Sequence, residues 1–244
     1  MALEFTIRRE NELPATPEQV WDAVATGPGN LGWLYPMEIE PREGGVVSRG
    51  PSTVTVWDPP RRFACRHESE DSSSDLEYLI EAREDGGTVL HIVIHRVLSG
   101  SAGDDWAAKT DGADKHADFY HHTLGQYLRY FSGRPATFVQ AQGPAAATEA
   151  NAFTVLRRGL GLTDDIAEGD AVRLAPVGLD PLEAVVDYLN PHFIGLRTAD
   201  GLYRFFGRNA WGIPVGLSHH LFAADVDQQQ TEQAWRGWLD RVFA

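Results

Sequence analysis

The chain holds one cysteine, Cys65, among 244 residues, so no internal disulfide can staple it. Cys65 stands between Ala64 and Arg66 in an alternating segment and reads as a buried, inert thiol. No apolar run approaches the roughly 18 residues that a membrane-crossing helix needs. Positive charge is also scarce: 21 Lys and Arg against 35 Asp and Glu leave a formal charge of −14. That balance argues against a nucleic-acid binder, which needs a basic face whose counterions can be released. The pairs Arg61-Arg62 and Arg157-Arg158 are too small to reverse it. The N-terminal "MALEFTIRRE" lacks the basic-then-apolar order of a signal peptide, so a cytoplasmic protein with no membrane partner is expected.

Motifs of several chemistries are missing as well. There is no GxSxG elbow, no Walker loop and no HExxH, and "GPGNLG" at 27–32 follows a helix instead of opening one after a strand. Nine histidines invite a metal, but His91 and His95, on one strand face, stand about 13 Å apart at about 3.3 Å per residue. Metal ligands lie about 2 Å from their ion, so these two cannot share one. His121-His122 and His219-His220 are adjacent pairs that point apart. Neither a metal nor a cofactor is expected.

What is present is an ordinary globular composition, 43% hydrophobic and 23% charged, at a length suited to one large or two modest domains. Leu3, Phe5 and Ile7 alternate with polar residues and predict a strand. Thr16, Pro17 and Gln19 spell a helix start, with Gly27-Pro28-Gly29 as its stop and a short helix or turn around Leu31, Trp33 and Leu34. Next come the hairpin "VTVWDPPRRFAC", a polar loop from Glu68 to Asp75, and two strands joined at Asp85-Gly86-Gly87. The second of these strands is apolar on both faces, Leu90, Ile92 and Ile94 on one and Val89, Val93 and Val97 on the other. An antiparallel sheet with one wet face should not be, so a cover is expected, from the second half of the chain or from a partner subunit in a homodimer. Residues 99–114 read as a mobile loop carrying Trp106, and 115–131 as a long helix with Phe119, Thr123, Tyr127 and Phe131 at i+4 spacing.

The hairpin returns in weaker form as "VVDYLNPHFIGL", where Tyr188 and Pro191 take the places of Trp57 and Pro60 at one common offset. An aromatic-rich helical segment follows each copy, "HHTLGQYLRYF" and "QAWRGWLDRVF". Two related α+β units are therefore expected: 1–138, a linker at 139–151, and 152–244. The second copy is shorter over the matched span, as though a strand pair or a long loop were lost.

The segments "ATPEQVWDAVATGPGNLGWLYP", "EIEPREGG" and "VTVWDPPRRFAC", followed by the long helix, resemble the START-like, Bet v 1-like superfamily and, within it, the Hsp90-ATPase-activator homologue group. The resemblance spans about residues 3 to 135. It implies an α+β helix-grip fold, an antiparallel sheet curled around a long C-terminal helix, with an apolar cavity between them that takes a hydrophobic small molecule. The implied lining is Trp33 and Tyr35 at the entrance, Phe63 and Cys65 on the hairpin, and Tyr78, Ile80, Ile92 and Ile94 on the central strands. Phe119, Tyr120, Thr123 and Tyr127 would face them from the helix, with Trp106 as a lid. Three functions fit. Binding without chemistry leads; a polyketide cyclase or aromatase, drawing on His67, His95, His122 or Glu81, is the alternative; a co-chaperone-like interaction protein is third.

Overall fold

A computed structural model describes residues 3–48, 52–70, 72–98 and 106–244, with side chains at all of these but 3 and 106–109. The chain divides after Pro135 into two units.

The first unit runs β1 (Leu3–Leu13), α1 (Pro17–Ala25), α2 (Gly27–Leu31), β2 (Val46–Val47), β3 (Ser52–Asp58), β4 (Arg62–Glu68), β5 (Ser72–Ala82), β6 (Thr88–Leu98) and α3 (Trp106–Tyr130). Thr16 caps α1 by accepting from the Gln19 N–H, while Gln19 reaches back to the Thr16 N–H. Gly27-Pro28-Gly29 does not simply stop this helix. Thr26 ends α1 and caps α2, which opens on those residues. Gly29 is required there, because a Cβ would sit 1.9 Å from the Asp22 carbonyl oxygen. Buried Asn30 then ties the corner by donating to the Val24 and Thr26 carbonyls.

All strand pairs are antiparallel, in the order β1-β6-β5-β4-β3-β2. The polar stretch expected as a loop from Glu68 to Asp75 is largely strand. His67 pairs with Ser74 and Glu68 with Ser73, because the ladder bonds are made by the backbone and serines can extend a strand that its apolar residues anchor elsewhere. The helix expected at 115–131 already begins at Trp106, within what read as loop, since Ala107, Ala108 and Lys109 are good helix formers. Residues 99–105 of that expected loop, and the Trp106 side chain, lie outside the described part.

On the second face of β6, Val89, Val93 and Val97 are half-buried and stand among polar pairs. His91 lies 3.4 Å from Glu10 and 3.1 Å from Glu81, and His95 lies 2.8 Å from Glu4 and 3.7 Å from Asp75. Arg62 pairs with Glu77, Arg66 with Asp75, and Arg83 with Glu12.

The second unit repeats the plan: β7 (Thr137–Gln142), a 3-10 turn (Ala145–Thr148), α4 (Ala152–Gly159), β8 (Ala171–Leu174), β9 (Leu182–Leu189), β10 (Phe193–Arg197), β11 (Gly201–Phe206), a 3-10 turn (Arg208–Trp211), β12 (Gly216–Leu221) and α5 (Gln228–Val242). Its sheet order, β7-β12-β11-β10-β9-β8, is that of the first unit strand for strand. No strand pair has been lost. The shortening lies in lengths: β11 and β12 have 6 residues each where β5 and β6 have 11, and α5 has 15 where α3 has 25. The segment 139–151, expected as a linker, carries most of β7, the first 3-10 turn and Asn151 at the start of α4. Val139 and Ala141 alternate with Gln140 and Gln142, and the apolar pair enters the core. That core is built on Leu156, Val186, Ile194, Phe205, Trp235 and Trp238.

Candidate functional site: the helix–sheet interior of the first unit

Which face of the sheet meets α3 follows from one residue. Arg9 of β1 reaches Asp118 at 2.6 Å and Asp114 at 2.8 Å, both on α3. Arg9 is paired with Ile92, Ile92 with Tyr78, and Tyr78 with Phe63, so this cross-strand row shares the helix-facing side. The next row on that side runs Ile7, Ile94, Leu76 and Cys65. Ile80 and Leu90, paired with each other, lie one row further on.

The interior has an aromatic wall and a small set of polar atoms. Phe63 and Tyr78 stack with ring centroids 6.3 Å apart, Trp57 meets Phe63 edge-on at 6.0 Å, and Trp21 meets Trp57 at 4.9 Å. From the segment after α2, Tyr35 stands edge-on to Tyr120 of α3 at 6.4 Å. His116, whose Nδ1 lies 2.7 Å from the Gly112 carbonyl oxygen, tilts against Tyr120 at 6.2 Å.

Burial decides the protonation of these groups. Tyr78 is 4% exposed; desolvation, and then the proximity of Tyr35 and Cys65, pushes its phenol above the ordinary range. The Cys65 thiol is pushed up to about 11, first by desolvation and then by Asp75. Both are neutral at pH 7. Tyr78 can therefore donate a hydrogen bond inside an apolar wall, and Cys65 is no thiolate nucleophile.

Other expected lining residues are placed differently. The Trp33 indole donates to the Ala23 carbonyl at 2.9 Å and packs with α1 at 1% exposure. Tyr127 lies against Gly32, where a Cβ would come within 2.3 Å of its ring. Its phenol is raised by desolvation, less so for a backbone bond from Gly133, with Asp22 raising it further. Thr123 spends its proton on the Phe119 carbonyl at 2.9 Å, and Phe119 itself is fully buried. The structure thus brings Tyr35, Phe63, Cys65, Tyr78 and Tyr120 together, whereas Trp33, Thr123 and Tyr127 serve the packing of α1 and α3.

The four residues weighed as acid or base scatter. Glu81 and His95 lie on the outer face, Glu81 3.1 Å from His91 and His95 2.8 Å from Glu4, and His122 lines a groove beside β1. Only His67, half-buried, shares the strand face of Phe63 and Cys65.

Fold and interior define the class: an α+β protein of two helix-grip units, each an antiparallel six-stranded sheet closed by a C-terminal helix. No protein-family model and no curated protein matches the chain. Among solved structures, protein MLL2253 from Mesorhizobium loti is similar at 20% identity, with 52% of this chain and 99% of that one covered and a TM-score of 0.42. Protein BH1534 from Bacillus halodurans is similar at 23% identity, covering 52% and 98%, with a TM-score of 0.42. The di-domain ARO/CYC BexL from the BE-7585A biosynthetic pathway is similar at 12% identity, covering 89% and 85%, with a TM-score of 0.45. No helix among the described residues is long and apolar enough to cross a membrane.

Proposed function

We propose that the first unit binds a hydrophobic small molecule between its sheet and α3, oriented by hydrogen bonds from neutral phenols. The observation that carries this reading is the buried Tyr78 phenol, set in an aromatic wall beside Tyr35 and Cys65. A donor kept neutral in apolar surroundings suits an uncharged ligand that presents a carbonyl or ether oxygen, and a charged ligand would be desolvated without a counter-charge. Binding is preferred to cyclase or aromatase chemistry because three of the four acid-base candidates point elsewhere, leaving His67 alone on the right face. The four-segment resemblance supports START-like membership and, at finer grain, the Hsp90-ATPase-activator homologue group.

Native mass spectrometry of the purified protein is expected to show a co-purified apolar compound, and titration with the neutral probe 1-aminoanthracene a saturable rise in fluorescence. Tyr78→Phe keeps the wall and removes the donor. It should weaken binding of an aromatic ketone such as anthrone about threefold to tenfold, the range of one hydrogen bond, while leaving 1-aminoanthracene unaffected. If neither a bound compound nor saturable fluorescence is found, the reading fails.

A further inference from the structure

Alongside β1 lies a second space that the apolar interior does not explain. Residues 9–14 form one wall, and α3 contributes the other through positions 118, 121, 122, 125, 126 and 129, a single helical face. The groove has a volume of about 440 Å³, within the range of small-molecule sites.

Two features set it apart from packing. First, three of the residues that line it each bury a polar atom without a hydrogen-bond partner: Asn11 Nδ2, His121 Nδ1 and Gln126 Oε1. His121 is 7% exposed, and burial, with Arg9 nearby, lowers its pKa to about 4, so the imidazole is neutral. Unpaired buried polar atoms are costly, and a native fold normally pairs them. Second, Gly125 sits mid-helix on the same face, where a Cβ would meet nothing nearer than Leu13 Cδ2 at 3.9 Å. No close approach demands a glycine there, and glycine is a poor helix former. What its missing side chain supplies is room.

We propose that this groove binds a small, neutral, polyhydroxylated ligand. Charge excludes the other classes. Arg9 is already held by Asp114 and Asp118, so it is not available as an anion receptor, and the carboxylates around the groove are engaged in turn, Asp118 by Arg9, Glu12 by Arg83 and Glu10 beside His91, so none is left to hold a cation. A cation would leave the Asn11 donor unmatched. The unpaired set is one fixed donor, one fixed acceptor and one neutral imidazole nitrogen; a hydroxyl, which donates and accepts through one atom, can satisfy each. The amide torsions of Asn11 and Gln126 are soft, so small rotations turn these atoms toward a ligand.

The test is a two-dimensional amide NMR titration with myo-inositol and D-glucose, with D-gluconate and D-glucosamine as charged controls. Saturable shifts confined to 9–14 and 118–129 are expected from the neutral pair. Asn11→Leu should weaken them about threefold to tenfold, as one lost hydrogen bond would. Gly125→Leu, which fills the groove without altering a buried polar group, should abolish them yet leave 1-aminoanthracene binding intact, so the two sites fail separately. No saturable shift from either neutral polyol, shifts produced by a charged analogue alone, or shifts that survive Gly125→Leu would overturn the proposal.

Discussion

Arg204 and Asp187 decide more of the second unit than their number suggests. Their side chains are 1% and 3% exposed and share two bonds, at 2.8 and 3.0 Å. A buried pair contributes little net, because desolvation offsets the attraction, but removal of one partner strands the other charge. Arg204→Met is therefore expected to destabilise the unit by roughly 3–5 kcal/mol, with Arg204→Met/Asp187→Leu recovering most of it. Urea unfolding midpoints decide: a single variant as stable as the parent would show the pair to be idle. Beside it, His219 accepts from the Arg204 N–H at 3.1 Å, ringed by Tyr203, Phe205 and Trp235. Burial pushes the His219 pKa well below 6.5, as it lowers that of His121 to about 4. Both rings are neutral when folded and take protons more readily when unfolded. Their stability contribution is thus complete above about pH 6.5 and is lost as pH falls below it, for His121 down to about 4; at about 1.4 kcal/mol per unit, His121 accounts for about 3 kcal/mol. His121→Leu should flatten that pH dependence in part. An unchanged slope between pH 6.5 and 4 would rule His121 out as a contributor.

At the scale of elements, local chemistry was the most legible part. The Thr16, Pro17 and Gln19 signal gave the start of α1 because a capping box is satisfied within four residues and needs no tertiary partner. Thr16→Ala should cost about 1 kcal/mol, the usual worth of an N-cap, and would appear as a lower thermal midpoint; no change would mean the helix is held by packing alone. The turn at Asp85, Gly86 and Gly87 was equally readable, with Gly86 at φ 84°. Elements held by their neighbours were not. β12 hides behind His219 and His220, both buried, because β12 lies between β7 and β11 and both its faces are covered. Ser72 to Asp75 looked like loop since a strand's ladder bonds are made by backbone and leave no mark in serine side chains. The candidate site was half legible for the same reason. Period-two spacing put Phe63, Cys65 and Tyr78 on one face, yet no pattern revealed that Trp33 and Thr123 would spend their protons on backbone carbonyls. The groove beside β1 left no sequence trace at all, since it depends on β1 and α3 being brought together from far apart in the chain.

For the whole molecule, the repeated hairpin understated the likeness of its halves. Both sheets share one strand order, both hairpins turn through three residues, and both have a register shift within the hairpin. What differs is reach: long β5, β6 and α3 can enclose an interior, whereas 6-residue strands and a 15-residue helix close on Trp235 and Trp238 instead. The second unit has its own complete sheet, its own terminal helix and a core lined by Leu156, Val186, Phe205 and Leu239 at 0% exposure. A unit of this kind has what independent folding requires. The fragment from Ala136 to Ala244 should therefore melt in one cooperative transition, lose stability below pH 6.5 through His219, and bind no 1-aminoanthracene, because its aromatic side chains fill the space that a ligand would need. Calorimetry with pH variation and a fluorescence titration check all three. A fragment without a cooperative melt would show that the second unit depends on the first, and one that binds the probe saturably would show that the shorter copy too encloses a cavity.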